Sequence, residues 1–319
     1  MTIEQWTIER ILNWTKGHFE KVRPDSPRLD AELLLAYVLD CPRLDLYLRA
    51  DQPLNEKERG TYRELVQQRA AGCPIAYLTG EKDFWSLSLE VSKATLIPRP
   101  DTETLVETSV EKILKWLQTH PEATCNIAEL GTGTAAIPLA LCAELQNLDI
   151  ISVDCSAETL TVAARNLERY QNLLAPRNNS LKLVESDLFS AIEPAANLDF
   201  IISNPPYIPT ETISTLQVDV CQYEPSIALD GGPDGLFFYK YLLKTGPSML
   251  KKSGEMILEI GFDQQVELTE LQDDFPEWTS STFLPDLQGN IRVCCLQLEL
   301  SLIHISEPTR PRLRSYAVF

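Results

Sequence analysis

The spacing of apolar residues changes twice along the chain. Up to about residue 72 it is helical. In SPRLDAELLLAYVLD, Leu29, Leu33, Tyr37 and Val38 approximate one apolar face, Ser26 stands where a helix cap belongs, and Pro27 fits the first helical position. NEKERGTYRELVQQRAAG predicts a further helix, started by Asn55 and ended by Gly72, with Tyr62, Leu65, Val66 and Arg69 on one side. These segments predict a small helical module over residues 1–78, which serves either as a packing accessory or as a docking arm for a large substrate.

Between 79 and 99 the period drops to two. KDFWSLSLEVSKATLIP sets Phe84, Ser86 and Ser88 against Trp85, Leu87, Leu89 and Val91 and then turns at 92–94, predicting a β-hairpin that links two domains. IPRPDTETLVETSVEKILKWL opens a helix, with Asp101 or Thr102 as cap and Glu103 in its positive first turn. Leu105, Val106, Val110, Ile113, Leu114 and Leu117 form its apolar stripe. From 125 onward, short apolar runs alternate with helical stretches: NIAEL, DIISVD, LKLVES, LDFIIS, GEMILEI, TSSTFLP and IRVCCLQLEL. Such alternation over residues 100–300 predicts an α/β domain, a mainly parallel sheet covered on both faces, whose ligands bind at the carboxyl ends of the strands.

The tail SLIHISEPTRPRLRSYAVF, residues 301–319, breaks this pattern. It carries Arg310, Arg312 and Arg314 against a single Glu307 and follows a strand that already completes the alternation. Its wording resembles a translated sequencing adapter, and the expectation is that it is not native; an in-frame genomic continuation through Phe319 overturns that expectation.

Composition narrows the chemistry. With 28 basic and 46 acidic side chains the net charge is −18 and the pI about 4.6, so long-range electrostatics repel phosphate backbones and argue against direct action on nucleic acid. No stretch approaches the apolar length of a membrane span, and the N-terminus MTIEQWTIERILNW has the order of neither a signal nor a transit peptide, so a soluble, cytoplasmic protein is expected. The 8 cysteines form no C-x-x-C pair, and the three histidines, His18, His120 and His304, stand near no evident nucleophile or second ligand. The chemistry is therefore expected to avoid imidazole and metal.

Four motifs remain. AELGTGTAAIPLAL, residues 128–141, takes a strand into Gly131-Thr132-Gly133 and then a helix, which lets backbone approach a ligand at a helix N-terminus. A lone G-x-G is a weak signal, but Asp154 closes the next strand where an acid meets ribose hydroxyls, and the two together point to a nucleoside cofactor. In ESDLFS, Asp187 is placed to accept from an adenine amino group with Leu188 and Phe189 against the ring, although cap or turn use is equally ordinary.

The fourth motif is DFIISNPPYIPT, residues 199–210. Pro205 and Pro206 donate nothing to a sheet ladder, and proline pushes Asn204 toward extended backbone. Asn-Pro is a common turn starter, but a plain turn has no need of Tyr207 beside those free carbonyls. A chemical role does need them. A planar amino group with a delocalised lone pair is a poor nucleophile; Asn204 Oδ1 and the Pro205 carbonyl can each accept one of its hydrogens while Tyr207 stacks on the flat group. The electrophile must then be strong and close, and a sulfonium methyl on a nucleoside cofactor qualifies.

On these motifs the chain resembles the HemK-type release-factor glutamine methyltransferases. The matching stretches are PIAYLTGEKDFWSLSLEVSKATLIPRPDTETLVE, AELGTGTAAIPLAL, ISVDCSAETLTVAARN, SDLFS, NPPYI, YEPSIALDGGPDGL and LQGNIRV. The resemblance implies a class I methyltransferase domain, a Rossmann-like seven-stranded sheet with its last strand antiparallel, after a helical domain and hairpin. It also implies methyl transfer from S-adenosylmethionine to the glutamine amide in the Gly-Gly-Gln loop of class 1 peptide-chain release factors. By the same resemblance residues Gly131, Thr132 and Gly133, in a loop continued by Thr134 and Ala135, hold the methionine end of the cofactor, Asp154 its ribose, and Asp187 with Leu188 its adenine. Asn204, Pro205, Pro206 and Tyr207 hold the target glutamine, and Asn204 also borders the cofactor. Many family members have glycine where this chain has Ala135, a difference of one methyl group, and no role is derived for Glu224-Pro225. NPPY is shared with adenine-N6 DNA methyltransferases, so a nucleic-acid substrate stays open, as do a glutamine of a ribosomal protein and a non-catalytic nucleoside-binding regulator. LIPRPDTE is the discriminating phrase.

Overall fold

The computed structural model describes residues 5–22, 26–193 and 197–298; the 301–319 tail lies outside them. Helices Ile8–Val22, Pro27–Val38, Arg43–Leu48, Glu56–Ala70 and Ile75–Thr79 close around a core of their own, with Phe19, Leu34, Leu35, Leu46, Tyr62 and Val66 at its centre. Asn55 starts its helix through a full capping box: its Oδ1 accepts from the Glu58 N–H at 2.9 Å and Glu58 returns the bond to the Asn55 N–H at 2.8 Å.

The helix Pro27–Val38 buries a different face from the one its spacing suggests. Leu29 and Tyr37 are 40% and 51% exposed, whereas Ala31, Leu34 and Leu35 are enclosed. Two carboxylates go inside with them. Asp30 accepts from Arg69 at 2.7 Å, and Glu32 from Arg28 and Tyr47. Because each buried charge is paired, an acidic residue here does not mark the solvent side.

The hairpin forms, but its turn lies earlier than 92–94. Strand β1 (Glu81–Phe84) pairs antiparallel with β2 (Leu87–Glu90) around Trp85-Ser86. Trp85 takes φ 55, a left-handed conformation rare for a bulky side chain, and is held there by its N–H on Glu103 Oε1 (2.9 Å) and its indole on Glu144 (2.8 Å). The next helix, Thr102–Thr119, starts as expected, yet Asp101 makes no side-chain cap and instead pairs with Arg292 at 2.7 Å.

The strands fall where the apolar runs predict: β3 (Cys125–Leu130), β4 (Leu148–Asp154), β5 (Ser180–Glu185), β6 (Leu198–Ser203), β7 (Leu250–Glu259), β8 (Trp278–Pro285) and β9 (Ile291–Leu298). They form one sheet in the order β5-β4-β3-β6-β7-β9-β8, with β9 antiparallel to both neighbours. Two apolar clusters cover the sheet, one including Leu105, Ile113, Leu139 and Ala163, the other Tyr239, Leu242 and Leu268. The chain runs outward from β3 through β4 to β5 and then returns to β6 on the other side of β3, a strand-order reversal that opens a crevice at the carboxyl ends. Among the described residues no helix is long and apolar enough to cross a membrane.

Candidate active site

The carboxyl ends of β3, β4, β5 and β6 border one cavity of about 420 Å³. Gly131 (φ 79) and Gly133 (φ 55) line it after β3, in backbone conformations that L side chains rarely adopt. The Gly133 N–H donates to Asp154 Oδ2 at 3.0 Å and the Ser156 N–H to Oδ1 at 3.1 Å, so the acid at the tip of β4 also braces the glycine loop. Burial pushes the Asp154 carboxyl above its ordinary value, and these backbone donors oppose that rise. Asp187 and Leu188 complete this end.

Three residues of the loop face the protein and not the cavity. Thr132 Oγ1 is hydrogen-bonded to Ser152 Oγ at 2.6 Å, the Thr134 carbonyl accepts from Asn166 at 3.0 Å, and Ala135 is fully buried. Ala135 has φ 63, left-handed, a conformation that costs an L-residue about 1–2 kcal/mol. Its methyl therefore matters through the backbone before it matters through cofactor packing.

At the other end stand Asn204, Pro205 and Pro206, directly after β6. The Ser203 hydroxyl donates to the Leu130 carbonyl at 2.8 Å and ties this segment to the glycine loop. Asn204 Nδ2 donates to Thr102 Oγ1 at 3.1 Å. Among the described residues neither Asn204 Oδ1 nor the Pro205 carbonyl receives a hydrogen bond, which leaves two acceptors side by side at the cavity wall. Tyr207 lies apart from the cavity: its ring packs into the core, its hydroxyl donates to Glu259 Oε1 at 3.4 Å, and its carbonyl accepts from Gln264 at 3.1 Å.

Comparison with known proteins places this arrangement. Residues 10–80 match the family model described as PrmC N-terminal domain, and residues 104–220 the one described as Methyltransferase small domain. A release factor glutamine methyltransferase of Rhodopirellula baltica is 35% identical over 292 residues, covering 92% of this chain and 96% of that protein. Another of the same name from Salmonella typhimurium is 38% identical over 271 residues, covering 85% and 92%. The chain belongs to the release factor glutamine methyltransferases. Among solved structures, the hMettl16 catalytic domain in complex with MAT2A 3'UTR hairpin 1 aligns with a TM-score of 0.52 at 15% identity, covering 74% of this chain and 81% of that one, a likeness of fold.

For a release factor glutamine methyltransferase the cofactor is S-adenosylmethionine, and the cavity fits it. The volume is that of a small-molecule site, and two positive-φ glycines leave their would-be Cβ positions without close contact, the nearest atom being the Asn204 carbonyl oxygen 3.9 Å from Gly131. A carboxylate at one end and apolar Leu188, Phe238 and Tyr241 along the wall suit a ribose and a base.

Three further groups shape the site and escape sequence reasoning. Glu224 sits under the LIPRP loop, its carboxylate accepting from the Ile97 N–H at 3.3 Å and from Arg99. Its partners lie more than a hundred residues away, and only the structure reveals them. Gly231 and Gly235 press on the segment after Pro206: a Cβ at Gly231 would stand 2.7 Å from Tyr207 Cα. Glu259 is 1% exposed at the end of β7, and burial pushes its carboxyl up to about 7, opposed by the Thr102 hydroxyl and Arg292.

Glu129, inside β3, is fully buried; Ser152 donates to its Oε2, and among the described residues Oε1 has no hydrogen-bond partner. Burial pushes this carboxyl up to about 8. Between its ordinary value and about 8 the folded protein keeps a proton that the unfolded chain has lost, so this group favours folding at lower pH and loses that contribution as pH rises through about 8. Thermal melts at pH 6 and pH 9 are expected to show a smaller fall in Tm for Glu129→Gln than for the wild type; equal falls count against a buried titrating acid.

Proposed function

We infer that the protein transfers the methyl group of S-adenosylmethionine to the side-chain amide nitrogen of the glutamine in the Gly-Gly-Gln motif of class 1 peptide chain release factors. The observation that carries this reading is the pair of unclaimed acceptors, Asn204 Oδ1 and the Pro205 carbonyl, at the wall of the cofactor-sized cavity.

When bound, S-adenosylmethionine supplies an electrophilic methyl. Everything else is the protein's work. Asn204 Oδ1 and the Pro205 carbonyl accept one amide hydrogen each, which fixes the plane of the glutamine amide and points its nitrogen into the cavity. An amide nitrogen that gains a substituent becomes strongly acidic, so its surplus proton leaves through the same acceptors with no strong base required. Gly131 and Gly133 approach the methionine end with backbone, Asp154 accepts from the ribose, and Asp187 with Leu188 borders the adenine. Thr132, Thr134 and Ala135 support the loop from behind. Pro206 walls the cavity beside Pro205, and Tyr207 braces the segment.

On this reading residues 1–78 dock the substrate protein, 79–99 link, 100–300 carry catalysis, and 301–319 are not native to the protein. The protein works in the cytoplasm, beside translation. An adenine-N6 substrate is disfavoured by the net charge of −18, which repels a phosphate backbone. The deciding assay offers the purified protein methyl-labelled S-adenosylmethionine with a release factor, its Gln-to-Ala variant, or DNA. Label is expected on the release factor and not on the variant; label on DNA alone overturns the assignment.

A further inference from the structure

An asparagine amide has two ends of similar shape and opposite polarity, and only one orientation presents Oδ1 to the substrate. Asn204 Nδ2 is committed to Thr102 Oγ1 at 3.1 Å, and Thr102 is 5% exposed, so water does not substitute for this contact. With Thr102 Oγ1 accepting from Nδ2, the amide stands with its NH2 inward and Oδ1 toward the cavity.

We propose that Thr102 is a positioning residue that fixes the orientation of the Asn204 amide through this buried hydrogen bond. This rests on the reading of Asn204 as an acceptor for the substrate. It also gives a physical reason for a threonine in LIPRPDTE at the first position of its helix, where no cap is needed from it.

The test uses the full chain with Thr102→Val and Thr102→Ser. Steady-state methylation of a release factor gives kcat and KM, calorimetry gives the affinity for S-adenosylmethionine, and ¹⁵N NMR gives the exchange rate of the Asn204 side-chain amide, assigned by its loss in Asn204→Ala. Thr102→Val orphans a buried donor and is expected to lower kcat about 10- to 100-fold, leave cofactor affinity within about threefold, and speed exchange of the Asn204 amide. Thr102→Ser keeps the hydroxyl and is expected to restore both turnover and slow exchange. Wild-type turnover in Thr102→Val, or unchanged Asn204 exchange, overturns the proposal, and so does a parallel loss of turnover and cofactor affinity in Thr102→Val and Thr102→Ser alike. A wild-type chain that labels no release factor refutes the functional reading instead, and the exchange rates then still decide what orients Asn204.

Discussion

Asn204→Ala is expected to lower kcat by about 10³-fold while the dissociation constant for S-adenosylmethionine changes by no more than about threefold. The substitution removes one of two acceptors that define the plane of the target amide and leaves Thr102 without the donor it holds at 3.1 Å. It removes nothing from Gly131, Gly133, Asp154, Asp187 or Leu188, which border the rest of the cavity. Because an amide nitrogen is a weak nucleophile, alignment is most of what the protein can contribute, and alignment is worth orders of magnitude when a misplacement of about 1 Å costs about 10²-fold. Single-turnover rates with saturating cofactor, beside calorimetric binding, separate the two quantities. Equal losses in both would make Asn204 a cofactor ligand and leave the amide clamp without support.

A second loss of turnover is expected from a residue outside the cavity. At Gly235 a Cβ would stand 2.5 Å from the Tyr207 carbonyl oxygen and 2.9 Å from Gln264 Nε2, the side chain that bonds that same oxygen at 3.1 Å. Main chain meets main chain here, so no rotamer can yield, and Gly235→Ala must move the segment that carries Pro205, Pro206 and Tyr207. A fall in kcat of about 10²-fold follows from displacement of that size. Gly235 also has φ 72, so part of any effect is conformational strain of about 1–2 kcal/mol. Gly289→Ala isolates that part: Gly289 has φ 89 and nothing within 4 Å of its would-be Cβ. Both variants are expected to melt earlier, and only Gly235→Ala to lose turnover. Matching kinetics in the two would reduce the Gly235 effect to general destabilisation.

The central strands β3 and β6 were legible because they are buried on both faces and so appear as nearly unbroken apolar runs; LDFIIS is buried at every position. The glycine loop and Asp154 were legible because local chain geometry brings them together across neighbouring parallel strands. Legibility failed where a residue's partner was distant in sequence. Asp30 and Glu32 gave no sign of being buried, because the arginines and the tyrosine that pair with them could not be placed beside them in advance. Asp101 looked like a cap, but Arg292 competes for its carboxylate. The hairpin turn was hidden by its own residue, since a tryptophan at positive φ is intelligible only with Glu103 and Glu144 to hold it. Glu224 and Glu259 carried no local pattern at all, because a buried acid is defined by what surrounds it.

Arg69 ends the long helix of the N-terminal module and reaches two acids: Asp30 at 2.7 Å within the module and Asp219 at 3.7 Å in the segment between β6 and the helix Phe237–Met249. The Tyr223 hydroxyl donates to the Ala71 carbonyl across the same seam, next to the Glu224 that grips the LIPRP loop. A cut at the hairpin alone therefore separates contacts that residues 219–224 make with the helical module, so the module's surroundings are discontinuous in the gene.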